Sequence, residues 1–123
     1  MIEKINWVGH ASFKISGEKI IIYIDPWKIQ DQEKADIILI SHSHYDHLSL
    51  EDIKKITTKE TDILITPDGQ SKLRDIDGKV TLIEPKKKYK IKNILIETTP
   101  SYNLNKKFHP KEDDWVGFII NLN

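Results

Sequence analysis

The sequence predicts a layered domain of the α/β or α+β class. Three observations carry this. The apolar segments are short and rich in β-branched residues. Two of them, residues 20–24 and 37–40, are uninterrupted, as in strands buried on both faces. One stretch, from Ser49, has helical spacing instead. With 123 residues the chain can build one core and not two.

In order, residues 2–8 read as a first strand. Residues 11–16 and 19–24 follow as a hairpin through a Ser16-Gly17-Glu18 turn. Asp25-Pro26 ends the second of these, and Ser41 closes the run 37–40. The helix starts at Ser49, which stands at capping-box spacing from Asp52. Glu51 and Asp52 suit its positive end, and Leu50, Ile53 and Ile56 form its apolar stripe. Residues 62–66 make another strand, ended by Pro67-Asp68-Gly69. Strands at 79–83, 93–98 and 116–122 complete the set, with a long polar loop over 100–115. Loops of that length inside a compact domain are commonly functional or disordered.

Composition narrows the function. Nineteen basic and nineteen acidic residues cancel, which gives no support to a general nucleic-acid or membrane footprint. Lys86, Lys87, Lys88, Lys90 and Lys92 alternate with Tyr89 and Ile91; they read as the solvated face of an edge strand, with a phosphate or RNA contact as the alternative. No apolar run is long enough to span a bilayer, and the charged start at residues 1–5 is unlike a signal peptide, so a cytoplasmic location is expected. Without cysteine, a bound metal must be held by histidine and carboxylate.

The chemistry concentrates in Ser41-His42-Ser43-His44-Tyr45-Asp46-His47, directly after a buried-type strand. Clustered imidazoles repel when protonated and need partners when neutral; a divalent cation meets both demands by taking neutral nitrogen lone pairs. In an extended segment His42 and His44 share a face and can grip one ion, with Asp46 and His47 directed to a neighbouring position.

The string resembles the HxHxDH motif of the metallo-β-lactamase-fold hydrolases. Trp7-Val8-Gly9-His10-Ala11-Ser12-Phe13 looks like the opening signature of a subgroup of metal-dependent hydrolases related to the ascorbate-6-phosphate lactonases and N-acyl-phosphatidylethanolamine phospholipases. Asp25-Pro26 looks like that family's first motif. Tyr102-Asn103 and Phe108-His109-Pro110, then Trp115-Val116-Gly117-Phe118, look like the segment bearing the third histidine. The resemblance implies an αβ/βα sandwich in which His42, His44 and His109 bind a first metal and Asp46 and His47 belong to a second. Asp25 would steady the histidine loop, His10 would lie near the site mouth, and Tyr102 and Asn103 would orient substrate. All five histidines of the chain fall in these segments. From the residues alone, Asp25 also reads as a turn former or helix cap, His10 as a turn histidine, His109 as a surface residue, and Tyr102 and Asn103 as loop packing.

The implied chemistry is zinc-dependent hydrolysis, or manganese- or iron-dependent, with one or two ions. The substrate would be a small anionic ester, lactone or phosphodiester, and Asp46 would orient the water or act as base. The alternatives are a non-catalytic metal-binding or interaction domain and a nucleic-acid-processing hydrolase. One departure stands out. The family's metal-bridging Asp and last histidine would follow Asn123, so residues 1–123 are expected to be the first half of the sandwich plus one strand of the second. They would be a fragment, a truncated product or a natural short form, with an incomplete site and weak or no activity alone. The expected partner is the missing C-terminal half or a second copy in a homo-oligomer, with residues 116–122 pairing across chains.

Overall fold

The computed structural model describes residues 2–9, 12–17, 19–26, 33–41, 50–70, 73, 76–100 and 116–121. Its elements are β1 (Ile2–Gly9), β2 (Ser12–Gly17), β3 (Ile20–Ile24), β4 (Ile37–Ile40), α1 (Leu50–Ile56), β5 (Asp62–Ile65), α2 (Pro67–Gln70), β6 (Lys79–Leu82), β7 (Lys88–Ile91), β8 (Ile94–Pro100) and β9 (Val116–Asn121). They form a six-stranded sheet in the order β1-β2-β3-β4-β5-β6 and a three-stranded sheet in the order β7-β8-β9.

The large sheet changes character along its width. β1, β2 and β3 are antiparallel, whereas β3, β4, β5 and β6 run parallel. Parallel neighbours need a crossover, and α1 lies in the connection between β4 and β5. The apolar run of β4 follows from its central place: Ile37, Ile38, Leu39 and Ile40 are all fully buried. Successive strand residues point to opposite faces, and here the two faces meet different layers. Tyr23, Ile38, Ile40, Ile63 and Ile65 pack with Ile53 and Ile56 of α1. Ile22, Ile37, Leu39 and Leu64 pack with Ile94 and Ile96 of β8, with Tyr89, Ile91, Phe118 and Ile120 against them. The order of layers is therefore helix, large sheet, small sheet. Each fully buried isoleucine or leucine contributes about 1.5–3 kcal/mol of transfer free energy.

Several boundaries differ from the sequence reading, each for a local reason. In the first hairpin Gly17 pairs with Ile20, so Ser16 and Gly17 belong to β2 and the turn includes Lys19, with φ of 64°. Pro67-Asp68-Gly69 does not simply end a strand but opens the helical turn α2, with proline at the first helical position, where a missing N–H costs nothing. Asn93 is not in a strand. Lys92 and Asn93, at φ of 50° and 67°, form the two-residue loop between β7 and β8, the conformation that tight hairpins favour. Lys88 and Lys90 stand exposed on edge strand β7 while Tyr89 and Ile91 face the core, as expected for a solvated edge.

Lys92 links the two sheets, its Nζ lying 2.6 Å from Asp62 Oδ2 at the start of β5. Lys14, almost wholly buried on β2, pairs with Glu33 and lies 5.7 Å from the Tyr23 ring centre, so its charge is compensated. Among the described residues no helix is long and apolar enough to cross a membrane.

Candidate metal centre

The parallel strands β3 and β4 end side by side. In open α/β sheets the carboxyl ends of strands are where ligands bind, because the chain turns there into loops that a rigid sheet positions. Asp25 follows β3 and Ser41 follows β4. The Asp25 N–H donates to the Leu39 carbonyl at 2.8 Å, extending the ladder by one residue. At Asp25 the backbone turns out of the strand with φ of 49°, a conformation that aspartate tolerates better than most residues.

The Asp25 carboxylate then binds Ser41 twice. The Ser41 N–H donates to Oδ1 at 2.7 Å, and the Ser41 hydroxyl donates to Oδ2 at 2.7 Å. Asp25 is 4% exposed and Ser41 8%, so the pair is shielded from water. Hydrogen bonds to an ionised acceptor are short and strong, and a double contact sets orientation as well as distance. The residue held in this way immediately precedes His42. Among the described residues, the Asp25 carboxylate holds Ser41, the residue that follows β4.

Of the nine site residues named from the sequence, Asp25 is among the described residues. His10, His42, His44, Asp46, His47, Tyr102, Asn103 and His109 lie outside them. Ser49, named as the helix cap, lies outside them too, as does the loop 101–115. Among the described residues, no three His, Cys, Asp or Glu side chains stand together as a metal site. The donor set that follows Ser41 fits a transition metal: three imidazoles and a carboxylate, with no thiolate in the chain. Sequence reasoning saw Ser41 only as the end of a strand. Nothing local marks it, since its partner is 16 residues away and reaches it only through the parallel register of β3 on β4.

Residues 4–123 match the family described as the Beta-lactamase superfamily domain, and the chain belongs to that family. Its fold is of the metallo-β-lactamase αβ/βα sandwich type. The chain is 38% identical to a UPF0173 protein of Pyrococcus abyssi over an alignment of 85 residues, gaps included, that covers 61% of this chain and 40% of that protein. It is 29% identical, over an alignment of 133 positions with gaps, to a UPF0173 metal-dependent hydrolase of Thermoplasma acidophilum, covering 97% of this chain and 56% of that one. The chain thus spans about half the length of these relatives. Among solved structures, a protein of Parabacteroides distasonis assigned to the metal-dependent hydrolases superposes with a TM-score of 0.83 at 30% identity, over 95% of this chain and 55% of that one. CmlA of Streptomyces venezuelae, a diiron β-hydroxylase, superposes with a TM-score of 0.73 at 15% identity, over 97% of this chain and 27% of that one. That second likeness concerns the fold alone, and it illustrates that one fold hosts unlike reactions.

Proposed function

We propose that this domain carries the metal-binding part of a metal-dependent hydrolase, acting on an ester, lactone or phosphodiester bond of a small anionic substrate. The observation that carries the reading is the buried Asp25–Ser41 pair, placed at the carboxyl ends of two parallel strands and one residue before His42-x-His44-x-Asp46-His47. A histidine segment anchored by a buried carboxylate is what a metal site requires, because ligands must be held at fixed positions before the ion arrives. The relatives named metal-dependent hydrolases support the same reading.

In this reading His42, His44 and His109 hold the first ion through neutral imidazole nitrogens, and Asp46 and His47 belong to a second. Zinc is the favoured metal, with manganese or iron as alternatives. The metal supplies Lewis acidity and lowers the pKa of water toward neutrality. Asp46 orients the attacking water or takes its proton. Asp25 fixes the start of the histidine segment. His10 lies at the mouth of the site, and Tyr102 and Asn103 orient the substrate.

The test is to measure the metal content of the purified protein and its turnover of lactones, aryl esters and phosphodiesters with zinc or manganese supplied. Metal-dependent turnover that His42→Ala abolishes is expected of a longer version that carries the family's bridging Asp and last histidine, and at most weak turnover of residues 1–123 by themselves. Stoichiometric metal with no turnover by that longer version would replace the hydrolase with a non-catalytic metal-binding domain.

A further inference from the structure

Ser41 makes two contacts with Asp25, and the two have different consequences. The backbone N–H bond to Oδ1 would form with any residue at this position. The hydroxyl bond to Oδ2 depends on the side chain. β4 does not need that second bond to stay in place, since Ile37–Ile40 is already paired with β3 on one side and β5 on the other. A second bond from the same residue to the other oxygen restrains the carboxylate and the orientation of Ser41 more tightly than one bond does. Both residues are buried, so water competes poorly for either oxygen.

Resting on the metal-hydrolase reading above, we infer that the Ser41 hydroxyl is a positioning group for the metal site. It locks the Asp25 carboxylate and thereby sets the direction in which the chain enters the His42–His44 segment. Ser41 is not a ligand; it acts through Asp25 and through the backbone leading to His42. Groups that orient metal ligands from behind typically change affinity by about 10–100-fold when removed. A serine serving only to end the strand would change stability and leave affinity alone.

The experiment measures zinc affinity by competition with a chromophoric chelator, in the full chain, for the wild type and for Ser41→Ala, Ser41→Val and Ser41→Thr. The unfolding midpoint of each zinc-free protein is measured alongside. Threonine and valine share a shape, so comparing them isolates the hydroxyl even if the smaller alanine disturbs packing. The expected result is a loss of about tenfold or more in zinc affinity for Ala and Val, with Thr close to wild type. Equal affinities in all four proteins would overturn the inference, whatever the midpoints do. So would unfolded Ala and Val variants beside a folded Thr variant, because the hydroxyl would then be a requirement of the fold. A wild-type chain that takes up no zinc, manganese or iron would instead overturn the metal-site reading itself, and that result is seen before any variant is compared.

Discussion

Asp25 accepts both the backbone N–H and the hydroxyl of Ser41, so one buried carboxylate joins the ends of β3 and β4 across 16 residues of sequence. Asp25→Ala would strand a buried N–H and a buried hydroxyl. Each unsatisfied buried donor costs about 1–3 kcal/mol, so a loss of about 2–6 kcal/mol is expected. Asp25→Asn keeps one acceptor oxygen and can donate to the hydroxyl in return; its loss should be about 1 kcal/mol. Urea unfolding of the zinc-free protein checks both. An Asp25→Ala variant as stable as wild type would show that this pair is not the anchor described here.

Metal binding should weaken in acid. Protons and the ion compete for the same imidazole nitrogens, and an ordinary histidine takes up its proton below about pH 6.5. The sign is fixed: affinity is highest where the histidines are neutral and falls as pH drops. Because the ion binds the folded chain, saturating zinc should raise Tm at neutral pH, and chelation should reverse the rise. His44→Ala should abolish the zinc-dependent shift. Elemental analysis giving equal metal in wild type and His44→Ala would remove His44 from the ligand set.

Leu64 lies between the sheets and Ile63 beneath α1, both fully buried. Truncating either to alanine should cost about 2–5 kcal/mol, by lost burial and the cavity left behind. The two sites belong to different layers and should add nearly independently, apart from their shared backbone. Denaturant melts of the single and double variants would show this. A cost below 1 kcal/mol at Leu64 would argue against tight packing of β8 on the large sheet.

Gly78 precedes β6 in a space that a side chain cannot enter. A Cβ built there would lie 2.8 Å from the Thr61 carbonyl oxygen and 3.1 Å from both Ile63 Cδ1 and Thr57 Cγ2. The carbonyl is backbone, and the Lys79 N–H donates to it at 2.7 Å, so it has little room to yield. Gly78→Ala should therefore destabilise by about 1–3 kcal/mol, although alanine usually gains by restricting the unfolded chain. A stabilised variant would show that the β5–β6 junction gives way readily.

Most strands were legible because burial leaves a simple trace in composition. A strand covered on both faces must be apolar throughout, so Ile20–Ile24 and Ile37–Ile40 declare themselves. The edge strand β7 was legible from the alternation of exposed lysines with Tyr89 and Ile91. Turns were placed less well. Lys19, Lys92 and Asn93 adopt left-handed φ values imposed by hairpin closure, and no glycine marks these positions.

What the sequence determined by itself is the chemistry available: three histidines and an aspartate in six residues after a buried strand, in a chain with no thiolate to offer. Only the tertiary structure decided that β7, β8 and β9 form a second sheet rather than extend the first, since apolar residues pack equally well on any apolar layer of matching shape. It alone also decided that Asp25 serves Ser41. Turn former, helix cap and loop anchor are all within reach of an aspartate after a strand. The parallel register that pairs Ile24 with Leu39 brings the next residues together, and the burial of both makes the resulting hydrogen bonds costly to lose.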